Sequence, residues 1–445
     1  MSEATLPASP ILGSSSGTSN ASNATGAARA KAPQSQFRLI AACSLGNALE
    51  MYDFTVYSFF ALLIGKLFFP SDSAYGSLLL AVATFGIGFV MRPLGGVIIG
   101  NYADRKGRKA AMTLTIGLMV LGTLCIAFAP SYASAGVFGS LMIVAGRLLQ
   151  GFSLGGEVGA ATSMLMEAGG VKGRGFRVSW QLASQGVSAL LGALTGAALY
   201  AALPQASLES WGWRLPFLLG LLIAPVGLYI RANLDETHVA ESHESSPVGR
   251  LLRAHGGTVL KGILATTAGT ATMYLVVFFM PTYMIRVLHM PPSLSLLSGC
   301  VTGITLFVVS LAAGRLADRM PNRKPLVIGS LLFSVVAVVP VFWLISHYPS
   351  VPLVLALSAL LTASVNIGTT PMFLMLLEML PAGVRASGIS VIYSVGVTVF
   401  GGSSQFIVTW LLAKTDNPLS PAFYMVVCGA LSLAALLSLR ERKAA

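Results

Sequence analysis

Long apolar runs organise this chain, and short polar breaks separate them. The runs fall at residues 37–64, 75–100, 110–129, 136–166, 178–202 and 213–231. A second set falls at 258–286, 293–316, 325–346, 351–379, 384–412 and 420–439. Most reach about 20 residues or more, the length at which a helix crosses a hydrocarbon core of roughly 30 Å. The pattern predicts an all-α integral membrane fold of twelve transmembrane helices, arranged as six-helix bundles at 37–231 and 258–440. Residues 1–36 are rich in Ser, Ala, Gly and Thr and contain no apolar run. They read as a disordered cytoplasmic leader, not a signal peptide, because no hydrophobic segment precedes the first span. The stretch 232–257 reads as a cytoplasmic linker and 441–445 as a short cytoplasmic tail.

Composition supports the membrane reading. Of 445 residues, 55% are hydrophobic and only 10% charged, too few charges to cover a soluble fold of this length. The net charge of +12 raises nucleic acid as a partner, but the placement of the basic residues argues against it. Arg105, Lys106, Arg108 and Lys109 fall in one loop, Lys172, Arg174 and Arg177 in the next on that side. Arg231, Arg250, Arg315, Arg319, Arg323, Lys324 and Arg385 continue the alternation, and Arg440, Arg442 and Lys443 close it. The intervening loops hold little more than Lys66, Arg214, Arg286 and Lys414. This positive-inside pattern places both termini in the cytoplasm of a cell with an inner membrane. Cys43, Cys125, Cys300 and Cys428 lie far apart with no CxxC pair or His cluster, so neither a disulfide framework nor a metal site is expected.

The two sets of six share polar signatures. Gly100, Asp104 and Arg105 follow the second run, then Gly107 and Arg108; Gly314, Asp318 and Arg319 follow the eighth. Asp104 and Asp318 are 214 residues apart. Glu167 and Arg174 follow the fourth run as Glu378 and Arg385 follow the tenth, with the two Glu 211 residues apart. The near-constant offset indicates duplication of a six-helix unit, the internal symmetry of a large class of membrane transporters. Glycines let helix ends approach, and an acid beside a basic run can tie helix termini together, so these residues are candidate gates. A plain anchoring role in the charge pattern is the alternative. The copy at Gly314 lacks the second glycine, which predicts a weaker gate there.

Charges inside the runs are the candidate chemistry. The first run holds Glu50 and Asp53, the second Arg92, and the fourth Arg147 and Glu157. Each costs at least roughly 2.5–3.5 kcal/mol at a helix centre, so each should face an interior cavity and pair. Glu50 and Asp53 share a helix face. Asp53 and Arg147 fall at similar depth and form the natural pair, as a proton-coupling device or as a structural salt bridge. Two roles compete for Arg92: a bidentate fork for a substrate carboxylate, or a pair with Glu157. His238, His243, His255, His289 and His347 all lie in the linker or at span ends. Protons that cross would therefore ride on Glu50, Asp53 or Glu157, and substrate arriving at an arginine changes the proton affinity of its acid partner. Tyr57, Gln181 and Gln185 from the first half, with Tyr274, Asn366, Tyr393 and Gln405 from the second, are candidates to line the substrate pocket.

The run Gly46-Asn47-x-x-Glu50-x-Tyr52-Asp53-Phe54 and the run Arg147-x-x-Gln150-Gly151-x-Ser153-x-Gly155-Gly156-Glu157 together resemble metabolite:proton symporters of the major facilitator superfamily. Trp211-Gly-Trp213-Arg214, Arg231-x-x-Leu234-x-Glu236-Thr237 and Glu378-x-x-Pro381-x-x-x-Arg385 fit the same subfamily, over about residues 37–440. The resemblance implies import of a metabolite such as citrate, tricarballylate, 2-oxoglutarate, shikimate, proline or betaine by alternating access, with the substrate near the midplane. Members often carry proline where Gln405 stands. The resemblance favours a small organic acid, with a zwitterionic osmolyte as the alternative. It implies protons and a small molecule as partners, lipid around a functional monomer, no nucleic acid, no cofactor and no enzymatic reaction.

Overall fold

The computed structural model describes residues 36–73, 75–106, 108–170, 172–222, 224–225 and 247–439. All regular structure among them is helical. The first half contains α1 (Gln36–Phe59), α2 (Ala61–Phe68), α3 (Gly76–Lys106), α4 (Arg108–Ala127), α5 (Val137–Ser153), α6 (Glu157–Glu167), α7 (Arg174–Ala202) and α8 (Leu215–Gly220). The second contains α9 (Pro247–Ala265), α10 (Thr267–Thr272), α11 (Met280–Arg286), α12 (Leu297–Arg319) and α13 (Lys324–His347). It ends with α14 (Val351–Met379), α15 (Ala382–Gly396), α16 (Ser404–Thr415) and α17 (Ser420–Ser438).

Among the described residues, eight helical segments are long and apolar enough to cross a membrane, and the pair α1–α2, bent by 65°, makes a ninth if it is one span. The helices of the third and fourth runs are shorter, and most of the polar-flanked sixth run after Gly220 lies outside the described residues. Several boundaries differ from expectation. The second helix continues past residue 100 to Lys106, because nothing in Asn101–Lys106 breaks a helix. The segment expected as linker is helical from Pro247, with a kink at His255. A short 3-10 turn at Leu154–Gly156 splits the fourth run, and π-helical turns at Met273–Phe278 and Val397–Gly402 interrupt the seventh and eleventh.

Glycine contacts set the helix crossings. A Cβ on Gly151 of α5 would run into the Gly88 carbonyl of α3, and one on Gly95 of α3 would run into the Phe152 carbonyl. Backbones this close need small residues on both sides, as is common where helices associate in lipid. Between the halves, α7 crosses α12 in the same way: a Cβ on Gly186 would lie 2.6 Å from the Gly303 carbonyl oxygen. An aromatic seam joins the halves through Phe54, Phe85, Phe89, Tyr274 and Phe278, with Phe89 and Tyr274 edge to face at 5.3 Å.

Candidate substrate and proton site

The glycine crossing of α3 and α5 brings two arginines to one place. Arg92 lies between Gly88 and Gly95, and Arg147 lies one turn before Gly151. Both are buried, Arg92 at 2% exposure and Arg147 at 0%. The Arg147 guanidinium sits 4.0 Å from the centre of the Phe54 ring and 4.6 Å from that of Tyr57. Arg92 sits 4.1 Å from the Phe89 ring and 4.8 Å from the same Phe54. Aromatic faces attract the cations, but they leave hydrogen-bond donors unmet. On each arginine, Nε and Nη2 are buried with no acceptor. Unmet buried donors on charged groups are costly, and a carboxylate is the ligand whose geometry meets a guanidinium edge in two parallel bonds.

Asp53 reaches this cluster indirectly. The expected direct pair with Arg147 is absent. Gln150, three residues along α5 from Arg147, stands between them. Arg147 Nη1 donates to Gln150 Oε1 at 2.8 Å, and Gln150 Nε2 donates to Asp53 Oδ2 at 3.0 Å. Gln150 Nε2 also donates to Thr123 Oγ1 at 3.0 Å, and the Thr123 hydroxyl donates to Asp53 Oδ2. The reason is directional. Asp53 turns toward α4 and α8, where its Oδ1 abuts Gly220, at a position where any Cβ would collide with it. Glu50 is buried and engaged. The side chain of Glu157 lies outside the described residues, so its expected competition for Arg92 does too.

The proposed pocket residues separate into groups. Tyr57 lies under Arg147 and donates its hydroxyl to the Ala81 carbonyl at 3.2 Å. Tyr274 and Tyr393, from the second half, lie within electrostatic reach of Arg92. Gln185 donates to the Tyr393 hydroxyl at 3.3 Å and Gln405 to Ser58 Oγ at 2.8 Å, so both join the halves. Gln181 is instead tied to Asn47, donating to its Oδ1 at 2.9 Å, which fastens α7 to α1. Asn366 bonds back to the Thr362 carbonyl of its own helix at 2.8 Å. The structure thus gathers Arg92, Arg147, Asp53, Tyr57, Tyr274 and Tyr393. It adds Gln150 and Phe54, quoted above as motif residues with no role in the site, and Phe89 and Thr123, which the sequence did not single out. Gln150 had a signal in the sequence, a buried-run amide one turn from a buried arginine.

The candidate gate residues lie at the end of the bundle that carries the basic loops. Asp318, at the end of α12, accepts from the backbone N–H of Gly175 at 2.6 Å and of Phe176 at 2.9 Å. It thereby caps the N-terminus of α7 in the other half, where the helix dipole favours a negative charge. Arg315 lies 4.2 Å from the Phe176 ring. Arg385 pairs with Glu167 across the halves at 3.0 Å, while Glu378 pairs with Arg323 inside the second half at 2.5 Å. Arg319 is exposed, and Arg174 keeps a buried Nε without an acceptor. Its neighbour Arg177 does the holding: it donates to the carbonyls of Leu165, Met166, Gly170 and Lys172 and fixes the end of α6. Gly100 lies within α3, while Gly107 and the side chains of Asp104, Arg105 and Arg108 lie outside the described residues. In the second copy Asp318 alone makes two backbone bonds; the first copy's counterparts lie outside the described residues, so the expectation of a weaker second gate stays an expectation.

Comparison with known proteins agrees with this architecture. The profile of the Major Facilitator Superfamily matches residues 43–403. The citrate-proton symporter of Klebsiella pneumoniae is 35% identical over 394 residues, covering 87% of this chain and 88% of that protein. The proline/betaine transporter of Escherichia coli (strain K12) is 30% identical over 419 residues, covering 91% and 83%. Among solved structures, a D-xylose-proton symporter superposes with a TM-score of 0.74 at 18% identity, over 90% of this chain and 96% of that one.

Proposed function

The chain belongs to the major facilitator superfamily and is a transporter, not an enzyme; on that premise we propose that it imports a small organic acid, citrate or a related di- or tricarboxylate, together with protons. The observation that carries this reading is the arginine pair. Two buried guanidinium groups face one aromatic ring with four donor nitrogens unmet, and Asp53 stands nearby, with the buried Glu50 one turn before it on α1. An anion balances that charge where a neutral sugar would not.

In this mechanism Arg92 and Arg147 hold the carboxylates, and Tyr57, Tyr274 and Tyr393 shape the pocket. Asp53 takes up the proton, with Glu50 and Glu157 as further acids on the path. The six-helix bundles 37–231 and 258–440 rock about the site, giving twelve spans with both termini cytoplasmic in a bacterial inner membrane. Asp318, Glu167 and Arg385 close the cytoplasmic side, with Asp104, Arg105 and Arg108 as their counterparts in the first half. The protein works as a monomer among lipids. Import of a zwitterionic osmolyte is the second reading, favoured by the likeness to the proline/betaine transporter. It requires an acid for the ammonium group, and Asp53 has one oxygen for it: Oδ1 is buried with no donor, while Oδ2 already accepts from Thr123 and Gln150.

The test is uptake of labelled citrate into proteoliposomes holding the purified protein, with and without an inward proton gradient. Accumulation that collapses on adding a protonophore is the expected result. If proline or betaine accumulates and no carboxylate does, the anion role of the arginines is lost.

A further inference from the structure

We infer that Gln150 is the positioning residue that links the proton site to the anion site, by turning its side-chain amide over. The inference rests on the symport reading above. Gln150 is fully buried, and both ends of its amide are engaged: Oε1 by Arg147 and Nε2 by Asp53 and Thr123. An amide has one donor end and one acceptor end, so the two ends cannot be set independently.

With Asp53 ionised, its carboxylate only accepts, and the amide must present its NH2 group there. Oε1 then faces Arg147 and occupies Nη1. When a proton binds Asp53 at Oδ2, the oxygen that faces Gln150, that oxygen becomes a donor, and turning the amide over gives it an acceptor. The NH2 group then faces the guanidinium, where two donors repel. Nη1 joins Nε and Nη2 as an open edge for a carboxylate. The proton therefore comes first and the anion second. Release runs in reverse: the proton leaves the same carboxylate, the amide returns, and Oε1 displaces the anion from Nη1. No bond other than the carboxyl O–H forms or breaks.

The surroundings leave Gln150 as the connecting path. The charged and titratable groups about Asp53 among the described residues are few. They are Arg147 from α5, reached through Gln150, Arg92 from α3 beyond the Phe54 ring, and, on the same helix as Asp53, Tyr52 and the buried Glu50 one turn before it. From α4 comes the neutral Thr123, and α8 presents the backbone of Gly220.

The experiment compares native protein with Gln150→Met in proteoliposomes, using citrate, with proline in parallel. Two quantities are read: accumulation driven by a proton gradient, and counterflow exchange at equal pH on both sides as that pH is varied. The expected result is that native protein accumulates substrate and its exchange depends on pH. In Gln150→Met accumulation falls to simple equilibration, while exchange persists with a flattened pH profile. Native-like accumulation and pH profile in Gln150→Met would overturn the inference and leave symport standing. A native protein that accumulates neither citrate nor proline removes the symport reading and the inference with it. Should Gln150→Met fail to fold, Gln150→Asn, one methylene too short to span both partners, goes through the same assays with the same outcomes.

Discussion

The two halves turn different chemistry toward their shared seam. The first supplies Arg92, Arg147 and Asp53, all buried at 2% exposure or less. The second supplies Tyr274, Tyr393 and Gln405, neutral groups set beside π-helical turns at Met273–Phe278 and Val397–Gly402. Yet the basic end is built from both: Asp318 and Arg385 from the second half meet Gly175, Phe176 and Glu167 from the first. The polar signatures shared by the two halves thus meet at the basic end. They have diverged in the interior, where one set of charges is enough and a second would add roughly 2.5–3.5 kcal/mol per unpaired group. In this reading the first half carries the ions, and the second half supplies aromatic cover and movement, since π-turns often mark functional sites in helices.

The largest effect should come from removing the acid on which this asymmetry depends. Asp53→Asn keeps the size and can still hydrogen-bond, but it cannot exchange a proton. Proton-driven accumulation should vanish while counterflow continues. Full accumulation by the variant in proteoliposomes would move proton coupling to Glu50 or Glu157.

Next comes the anion side. Arg92→Lys keeps the charge and loses the planar fork that meets a carboxylate in two bonds. Loss of one charge-assisted hydrogen bond costs about 1.5–3 kcal/mol, so citrate affinity should fall by roughly 10- to 100-fold. Unchanged binding by calorimetry would return Arg92 to a packing role between Phe54 and Phe89.

A smaller effect is expected at the shared gate. Asp318→Ala removes two backbone hydrogen bonds and a favourable charge at the start of α7. The cost should be about 1–2 kcal/mol against the closed basic end. The readout is a cysteine placed by Ser394→Cys, beneath the gate where Ser394 donates to the Gly155 carbonyl at 3.4 Å. In a background without the native cysteines, a thiol reagent added at the basic face should label it several-fold faster once Asp318 is gone. Equal labelling would show that the glycine crossing of α7 and α12 holds that end by itself.

How far the sequence went depends on the kind of feature. Run lengths announce helices because lipid fixes how long a span must be, and most of the expected runs became helices. Breaks inside runs were harder. The turn at Leu154–Gly156 falls among glycines that also serve the contact with α3, so composition alone does not separate packing from breaking. For the site, charge in an apolar run identified Asp53, Arg92 and Arg147, because burying them demands a reason. Their connection was not legible. Equal depth suggested a direct Asp53–Arg147 pair, but which way a side chain turns around its helix depends on neighbours far along the chain, here Thr123 and Gly220. Gln181 looked like a pocket residue for the same reason, and Asn47 claims it instead.

The ion pair between Lys66 and Glu209 sharpens the contrast from the other direction. At 2.5 Å it is as short as any pair among the described residues, but both partners belong to the first half and Lys66 is largely exposed. The hydrogen bond from Lys66, helped by one from Gln205, holds the Glu209 carboxyl below its ordinary value. A lowered carboxyl contributes stability above the unfolded-state pKa of about 4.3, and that contribution is lost as pH falls through the lowered value. Exposure screens the pair, so Glu209→Gln should cost only about 0.2–1 kcal/mol near neutral pH. Thermal unfolding in detergent should show a small drop in Tm at pH 7 that disappears toward pH 3. Citrate uptake should be unchanged, because the pair does not join the moving halves. A transport defect in Glu209→Gln as large as that of Asp318→Ala would mean that short contacts matter wherever they lie. It would remove the distinction between pairs that bridge the halves and pairs that do not.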